Sequence, residues 1–503
     1  MKKLLLLLLP LITLAYWYFF ERFIPPPPLE ISARTTWFTD LEVIDGRVNL
    51  GPSFNRKFGL NPEENAIIEL LQIFGGVATS PSEVEEFCSL LGVTPELFAS
   101  TTLFLPVKID EDGFSTQFRL SATHNNYYQK PWKDDDCPEL AAIIAANRAT
   151  FALVRKMAGK TGSFWPVTSG KSVWSAYVPQ EINSSQLIRL QLARGMNYLA
   201  NSEYDKALDD FVAAGLAGKT AINSTQMIFS LIELLGIKDS LFCVHQLLCR
   251  PDLPTELLQQ VFHRIDPLTD LSAINKAVEA DFRLSQLSLF LEEMPGQKTM
   301  LNQSGNSVDL PIDFDLYFDK NVFCRKINDP ADVMVRAFGL SSIQERLKAL
   351  NDFRAKMREQ NHGYSSFSLI ADLLMARYLT LSSQKCTRVS EILSDIILAV
   401  GRPDSIAIIH ESLAISENAK LLRLAALILQ HRSKSGSLPR QLTDIAIDNP
   451  DFITDSFSGK PYFYETGSQS LKIYSIGPDL RDDHGISSDQ IDHSDIVLII
   501  PTN

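Results

Sequence analysis

Hydrophobic residues recur along most of this chain at the three- and four-residue spacing that is typical of one face of a helix. The spacing is clearest in residues 133–420, where Gly, Pro and Asp residues separate the apolar runs. Near the carboxyl end, short runs of β-branched and aromatic residues predict strands at residues 462–464, 471–476 and 496–500. The pattern predicts a mainly α fold that ends in a small antiparallel sheet.

The first residues form an uninterrupted apolar run. Lys2 and Lys3 precede the uncharged residues 4–20, and a helix of that length reaches roughly 25 Å, close to the roughly 30 Å of a bilayer core. The run ends in aromatic residues rather than in the small residues of a signal-peptidase site, which favours an uncleaved anchor over a cleaved signal peptide. We predict a single-pass cell membrane protein with its N-terminus inside and the bulk of the chain exported to the periplasm or envelope.

Changes in this pattern suggest domain boundaries. A helix is predicted to open at Asn61 and Pro62, a hairpin is predicted around Asp112 and Gly113, and another helix is predicted to start at Pro138. The predicted parts are a transmembrane anchor (1–24), a stiff Pro-rich linker (25–30) that holds the body off the membrane, a mixed α+β region (31–132), a helical domain (133–300), a loop (301–330), a helical region (331–420) and a C-terminal α+β domain (421–503).

One helical hairpin in residues 193–214 carries an internal pattern. Its small and aromatic residues are Gly195, Tyr198, Tyr204, Ala207, Phe211 and Ala214. Small residues allow two helices to touch, and aromatic residues fill the groove between them. The segment resembles one tetratricopeptide repeat, which implies a helical surface for protein partners. An ordinary helical hairpin is the alternative, because the next repeat unit places Phe229 at the Gly position.

Charge and motifs exclude several functions. The net charge of -13 and the pI near 5.2 oppose electrostatic capture of nucleic acid. The six cysteines include no CxxC pair, and the sequence has no G-x-S-x-G and no HExxH. We therefore name no catalytic residue, and we interpret His245, His263, His410 and His431, on helical segments, as structural imidazoles.

Aspartates are crowded between the last two predicted strands. Carboxylates that share one loop repel each other by roughly 1 kcal/mol per close pair even in water. Either water and salt screen this charge or a cation lies among the carboxylates.

This C-terminal segment resembles the globular domain of the major pseudopilin of type II secretion systems. The resemblance rests on Ser-Gly-x-Leu-Pro at 435–439, on Asp455-x-Phe457-x-Gly459-Lys-Pro-Tyr, on Tyr-Ser-Ile-Gly-Pro-Asp at 474–479 and on Asp495-Ile496. In that family the loop holds calcium, a cation that takes six to eight oxygen ligands. The resemblance implies side-chain ligands at Asp479, Asp492 and Ser494, with the carbonyls of Ile476 and Arg481. Because the loop here is longer, Asp482, Asp483 and Asp489 are alternative ligands.

Most of the chain also resembles a family of large planctomycete-type envelope proteins, through residues 61–75, 137–158 and the C-terminal motifs. The resemblance to that family implies no activity. We therefore expect a non-catalytic interaction scaffold in the envelope, with a calcium-stabilised pseudopilin-like domain that is associated with secretion or pilus-like machinery. The alternative is an envelope hydrolase or glycan-binding protein with a nonstandard site in the N-terminal region. Its aromatic residues 127–132 could stack on a sugar, although a turn at Pro131 is the favoured explanation.

Overall fold

A computed structural model gives the fold of part of the chain. It describes residues 13–21, 24–44, 47–74, 80–96, 108–109, 115–116, 127–169, 171–173, 179–222, 227–288, 291–292, 299–301, 307–309, 318–361, 380, 384–400, 403–445, 450–467, 469–486 and 495–502. The predicted turn at Asp112 and Gly113 lies outside these residues. So do two of the predicted calcium ligands, Asp492 and Ser494.

Helices dominate the described residues. They are α1 (Gly51–Phe58), α2 (Ile67–Phe74), α3 (Pro81–Leu91), α4 (Pro138–Ala146), α5 (Arg148–Met157), α6 (Pro179–Ala200), α7 (Tyr204–Ile222), α8 (Met227–Leu248), α9 (Thr255–Arg264), α10 (Ala273–Ser288), α11 (Lys320–Phe338), α12 (Ile343–Asn361), α13 (Lys385–Val400) and α14 (Pro403–Ser435). Short 3₁₀ turns cover Asp134–Asp136, Asp266–Thr269, Leu442–Asp444 and Pro450–Ile453, and a π-helical turn covers Trp17–Glu21.

The described strands pair antiparallel. They are β1 (Glu42–Ile44), β2 (Arg47–Asn49), β3 (Lys108–Ile109), β4 (Ser115–Thr116), β5 (Thr299–Leu301), β6 (Ser307–Asp309), β7 (Phe463–Thr466), β8 (Ser470–Ser475) and β9 (Ile496–Pro501). The first six form three separate hairpins, and the last three form one sheet with β8 in the centre. The prediction of a mainly helical protein with a small antiparallel sheet is therefore confirmed.

Helix starts were predicted with mixed success. Helix α4 begins at Pro138, as expected for a residue whose missing N–H costs nothing in the first turn. The start predicted at Asn61 and Pro62 is wrong, because α2 begins at Ile67. The Asn61 carbonyl accepts the N–H of Asn65 at 3.1 Å in a separate turn, and the Asn65 side chain then accepts the N–H of Ile67 at 3.2 Å. The side chain of Asn65, not that of Asn61, bonds to the first helical residue.

Two predicted boundaries differ from the structure. The loop predicted at 301–330 contains the last residue of β5, all of β6 and the first half of α11, which Asp319 caps through the N–H groups of Asn321 and Val322. The boundary predicted at residue 421 falls inside α14, which runs from Pro403 to Ser435. The C-terminal sheet therefore follows a helix that is also part of the helical body.

The N-terminal region shows exposed aromatic residues before the Pro-rich segment. Leu14, Tyr16, Trp17, Tyr18 and Phe19 are between 43% and 65% exposed. Within the part of the chain that the structure describes, no helix combines the length and apolar character needed to span a membrane. Residues 1–12, 22 and 23 of the predicted anchor lie outside that part.

The Pro-rich segment lies against the helical body. Asn321, in the first turn of α11, donates its side-chain amide to the Pro28 carbonyl at 2.8 Å and accepts the N–H of Glu30 at 2.7 Å. The thiol of Cys386 lies 3.5 Å from the Ile24 carbonyl, and Leu29 packs on an apolar cluster that includes Phe323. The segment predicted as a spacer is thus bound at both of its ends.

Asparagines bind another extended segment in the same way. Asn55 accepts the N–H of Val167 at 2.9 Å and donates to its carbonyl at 2.8 Å. Asn65 makes the same pair of bonds to Phe164, at 2.9 and 2.8 Å. An asparagine amide can satisfy both the main-chain N–H and the carbonyl of one residue, as a neighbouring strand would. Residues 163–168 are therefore held without belonging to a sheet.

Helices α6, α7 and α8 pack against one another in the centre of the helical body. A Cβ atom at Gly195 of α6 would lie 2.4 and 2.8 Å from ring carbons of Phe211 in α7. Beside this contact, the buried carboxylate of Asp210 binds Arg194 at 2.6 Å and Arg155 of α5 at 3.1 Å. Burial nevertheless raises the pKa of Asp210. The helical hairpin predicted from Gly195 and Phe211 is confirmed, whereas its identity as a tetratricopeptide repeat stays a prediction.

We expect Gly195→Ala to destabilise the helical body by about 1–3 kcal/mol, because the added methyl group forces two well-packed helices apart. The midpoint of thermal unfolding, followed by circular dichroism, should fall. Gly339→Ala is the matched control, since a Cβ there meets no atom closer than 3.5 Å. Equal midpoints for the two variants would contradict the close contact.

Candidate functional site

The C-terminal sheet presents one face to the helical body. On that face, Leu471 of β8 pairs with Ile500 of β9, and Ile473 pairs with Leu498. All four are buried in the main core. Because side chains alternate along a strand, Lys472 and Tyr474 of β8 belong to the opposite face. This second face carries the acidic loop.

A buried carboxylate fixes the sheet to α14. Glu417 is 1% exposed and accepts the Tyr462 hydroxyl at 2.6 Å and the N–H of Ser456 at 2.9 Å. Lys420, one turn further along the helix, lies 3.1 Å from the other Glu417 oxygen. Burial, reinforced by the negative charge of Glu417, raises the pKa of Tyr462. The tyrosine therefore remains a neutral hydrogen-bond donor.

A second buried carboxylate shapes the turn that precedes β7. Asp455 accepts the N–H of Phe457 at 3.0 Å and the N–H of Ser458 at 3.2 Å. Its side chain also accepts the Ser475 hydroxyl at 2.6 Å, which links the turn to the end of β8. Gly459 closes the turn at a φ of 66°, a conformation in which a side chain is costly. The Asp-x-Phe-x-Gly motif is thus a folded turn with its carboxylate inside.

The acidic loop crosses the outer face of the sheet. Lys472 donates to the His484 carbonyl at 3.0 Å, and the Tyr474 hydroxyl lies 3.4 Å from the Asp482 carboxylate. Gly485, at a φ of 70°, lies so close that a Cβ atom there would be 2.2 Å from the Lys472 side chain and 3.0 Å from Tyr474. Burial raises the pKa of Tyr474 to about 12. The loop therefore covers two side chains of the central strand.

The loop aspartates bind backbone amides of their own loop. Asp479 accepts the N–H of Arg481 at 3.1 Å, and Asp482 accepts the N–H of His484 at 2.8 Å. Asp495 is 2% exposed and accepts two amides, that of Asp483 at 3.3 Å and that of Gly485 at 2.6 Å. Burial raises the pKa of Asp495, while the two amides act in the opposite direction. These three loop carboxylates thus accept hydrogen bonds from backbone amides.

The predicted calcium ligands are only partly described. Asp479, Ile476 and Arg481 lie at the start of the loop, close together in sequence, whereas Asp492 and Ser494 lie outside the described residues. Among described residues, no three His, Cys, Asp or Glu side chains converge as a metal site. Bonds to described residues occupy one oxygen of Asp479 and leave its other oxygen available. The described donors fit a calcium shell only if residues 487–494 supply further oxygens, so the calcium site stays a prediction.

A cysteine and a histidine meet on α8 without forming a catalytic pair. His245 Nε2 lies 2.7 Å from the Ile499 carbonyl and 3.4 Å from the Cys249 thiol. Since a carbonyl only accepts, Nε2 carries the proton and cannot take one from sulfur. Burial raises the pKa of Cys249 to about 11 and lowers that of His245. The imidazole attaches β9 to α8, in agreement with a structural role.

The N-terminal region contains a cavity of about 380 Å³, which is where the alternative enzyme function would place its site. Glu86 and Ser169 line it, and the Ser169 hydroxyl and N–H both bind one Glu86 oxygen, at 2.6 and 2.7 Å. One Glu86 oxygen thus accepts both bonds and caps the chain turn at Ser169.

A second cavity, of about 340 Å³, lies between α14 and residues 451–456. Arg423 lines it and lies against both Phe262 and Phe452, with its guanidinium 4.4 and 4.5 Å from the two rings. The same guanidinium pairs with Asp266. The charge of Arg423 is therefore already neutralised.

The aromatic cluster near Pro131 belongs to the core. Trp132 is 2% exposed and donates its indole N–H to the Ala193 carbonyl at 2.7 Å. Tyr127 stacks on it edge to face, at 5.5 Å between ring centroids. Residues 127–130 form a turn, as expected, and the Trp132 ring is not accessible to a sugar.

Comparisons with known proteins find no matching family model, no similar curated protein and no similar solved structure. The resemblances to pseudopilins and to envelope proteins therefore rest on the motifs alone. Sequence reasoning named Asp455 and Asp495 as motif positions without assigning their hydrogen bonds, and it missed Glu417. A polar residue within the apolar pattern of a helix was the one signal that could have identified Glu417.

We expect Asp495→Asn to loosen the acidic loop, because an amide can accept only at its oxygen and places a donor against the second backbone N–H. The loss of one bond to a charged acceptor should cost about 1–3 kcal/mol. Amide hydrogen exchange at Asp483 and Gly485 should accelerate. Asp479→Asn, at a half-exposed site with one amide bond, is the control and should leave those two amides unchanged. Unaltered exchange in Asp495→Asn would contradict the role of this carboxylate.

Proposed function

We propose that this protein is a membrane-anchored envelope scaffold, in which the N-terminal segment inserts in the bilayer and the exported helical body binds protein partners. The observation that supports the anchor is the exposure of Trp17, Tyr18 and Phe19 side by side. Neighbouring exposed aromatic residues at the end of an apolar run are typical of the membrane interface, where the rings lie at headgroup level. Lys2 and Lys3 favour a cytoplasmic N-terminus.

Helix α8 supports the scaffold part of the proposal. Leu235 and Phe242 are 43% and 40% exposed, and their seven-residue spacing places them on one helix face. Ile499 of β9 is 50% exposed and lies next to α8, because its carbonyl binds His245 of that helix. Apolar side chains in such an arrangement are suited to contact a protein. At the two described cavities, Glu86 is bonded to Ser169 and Arg423 is paired with Asp266, which favours binding over catalysis.

The test uses intact protein and lipid vesicles. The full chain should float with vesicles and resist alkaline carbonate, whereas a variant without residues 4–20 should stay in the soluble fraction. Release of the full chain by carbonate would contradict the anchor.

The partner surface is tested by chemical crosslinking in membranes of cells that produce the full chain. Leu235→Glu combined with Phe242→Glu should abolish specific crosslinked species without lowering the melting temperature, since both side chains are largely exposed. Leu90→Glu introduces the same charge at an equally exposed leucine of α3 and should leave the crosslinks intact. Crosslinks that survive the double variant would exclude α8 as the partner surface.

We further propose that calcium stabilises the pseudopilin-like domain, through Asp479, Asp492, Ser494 and the carbonyls of Ile476 and Arg481. The half-exposed carboxylate of Asp479, with one oxygen unbound to described residues, supports this assignment. Hard oxygen donors are the ligands that calcium prefers. Its bound charge would offset the repulsion between the loop carboxylates.

Calcium at 100 times its Kd should stabilise the full chain by about 2.7 kcal/mol relative to chelator. The melting temperature should rise accordingly, and hydrogen exchange of the β8 amides should slow. Asp479→Asn with Asp492→Asn should remove the shift. Asp495→Asn should lower the stability and keep the shift, because its carboxylate is occupied by amides. A chain that melts identically in calcium and in chelator has no such site.

A further inference from the structure

The bound Pro-rich segment restricts where the helical body lies relative to the membrane. The following inference rests on the proposed anchor and specifies its geometry. The Ile24 carbonyl contacts the Cys386 thiol at 3.5 Å, in the first turn of α13. Ile24 follows the apolar run by four residues, and an extended chain covers at most about 14 Å over that distance. The first turn of α13 therefore lies close to the end of the anchor.

The first turn of α11 lies beside that of α13. The N–H of Asp319, which caps α11, donates to the Ser390 hydroxyl at 2.7 Å. Asn321, two residues later, holds the chain at Pro28 and Glu30 by two hydrogen bonds. The Pro-rich segment thus cannot swing the body away from the anchor without breaking these bonds. Two independent attachments, at Ile24 and at Pro28, fix its path.

The exposed side chains around these two turns are polar and suit the headgroup region of a bilayer. Gln384, Thr387 and Arg388 of the α13 turn are exposed, and Lys320 of the α11 turn is partly exposed. The Arg388 side chain is 56% exposed and pairs with Glu391 at 3.1 Å, while Asp319 is buried as a helix cap. Lys320 and Arg388 are basic, but the exposed Glu30 and the partly exposed Glu391 lie beside them, so the two turns present a polar surface of mixed charge. Lys and Arg side chains near a bilayer are attracted to anionic headgroups.

We propose that the first turns of α11 and α13, with Lys320, Thr387 and Arg388, form a surface that lies against the lipid headgroups. The anchor and this surface then hold the body down on the membrane in one orientation. The Pro-rich segment acts as a clamp between them and not as a spacer.

The experiment uses the full chain in vesicles with a fluorophore at Thr387→Cys, in a Cys249→Ser background because the other described cysteines are buried. Lipids with a nitroxide headgroup should quench this fluorophore strongly. Asn321→Ala should reduce the quenching while the protein still floats with the vesicles. Asn321→Asp, which keeps the acceptor for Glu30 but places a second acceptor against the Pro28 carbonyl, should also reduce it. Asn201→Ala, which removes a bond confined to its own helix, is the matched control and should leave quenching unchanged.

The outcomes separate this inference from the proposed anchor. A protein that floats but is not quenched at residue 387 has its body away from the bilayer, which overturns the inference and leaves the anchor in place. Quenching that is identical in wild type and Asn321→Ala shows that the clamp does not orient the body, and also overturns it. A protein that does not float refutes the anchor, and the inference with it.

Discussion

The buried carboxylate of Glu417 joins the helical body to the C-terminal sheet. It lies within α14, which packs against α8 and α9 and also contacts β8 and β9. Through Tyr462 and Ser456 it holds the chain that leads into the C-terminal sheet. Leaving such a carboxylate without partners costs several kcal/mol, more than most single apolar contacts contribute. The sheet is therefore an extension of the helical body and depends on it.

The acidic loop shows how crowded carboxylates can be accommodated. Repulsion between two exposed carboxylates is worth roughly 1 kcal/mol, whereas a hydrogen bond to a charged acceptor contributes about 1.5–3 kcal/mol. Asp495 makes two such bonds, and Asp479 and Asp482 make one each. Hydrogen bonding thus exceeds repulsion in the described part of the loop.

Local signals in the sequence predicted local structure well. The helix start at Pro138 and the strands near residues 471 and 496 follow from neighbouring residues, and this start and the strand bounds agree with prediction to within one position. The contacts of Asn321 with Pro28 could not be predicted in this way, because 293 residues separate the partners. The same holds for Glu417 and Tyr462, whose bond depends on how α14 meets the sheet. Of the candidate site, the acidic residues were predictable, but their amide partners were not.

The asparagine clamps have a consequence for how this chain can diverge. Asn55, Asn65 and Asn321 each bind main-chain N–H and carbonyl groups and make no use of the side chains at Val167, Phe164 or Pro28. Substitutions in the clamped segments are therefore neutral toward the clamp as long as the backbone keeps its path. Substitution of the asparagines themselves by aspartate would replace a donor with a second acceptor facing a carbonyl. Among related chains, we expect these asparagines to persist while the segments that they hold drift in sequence.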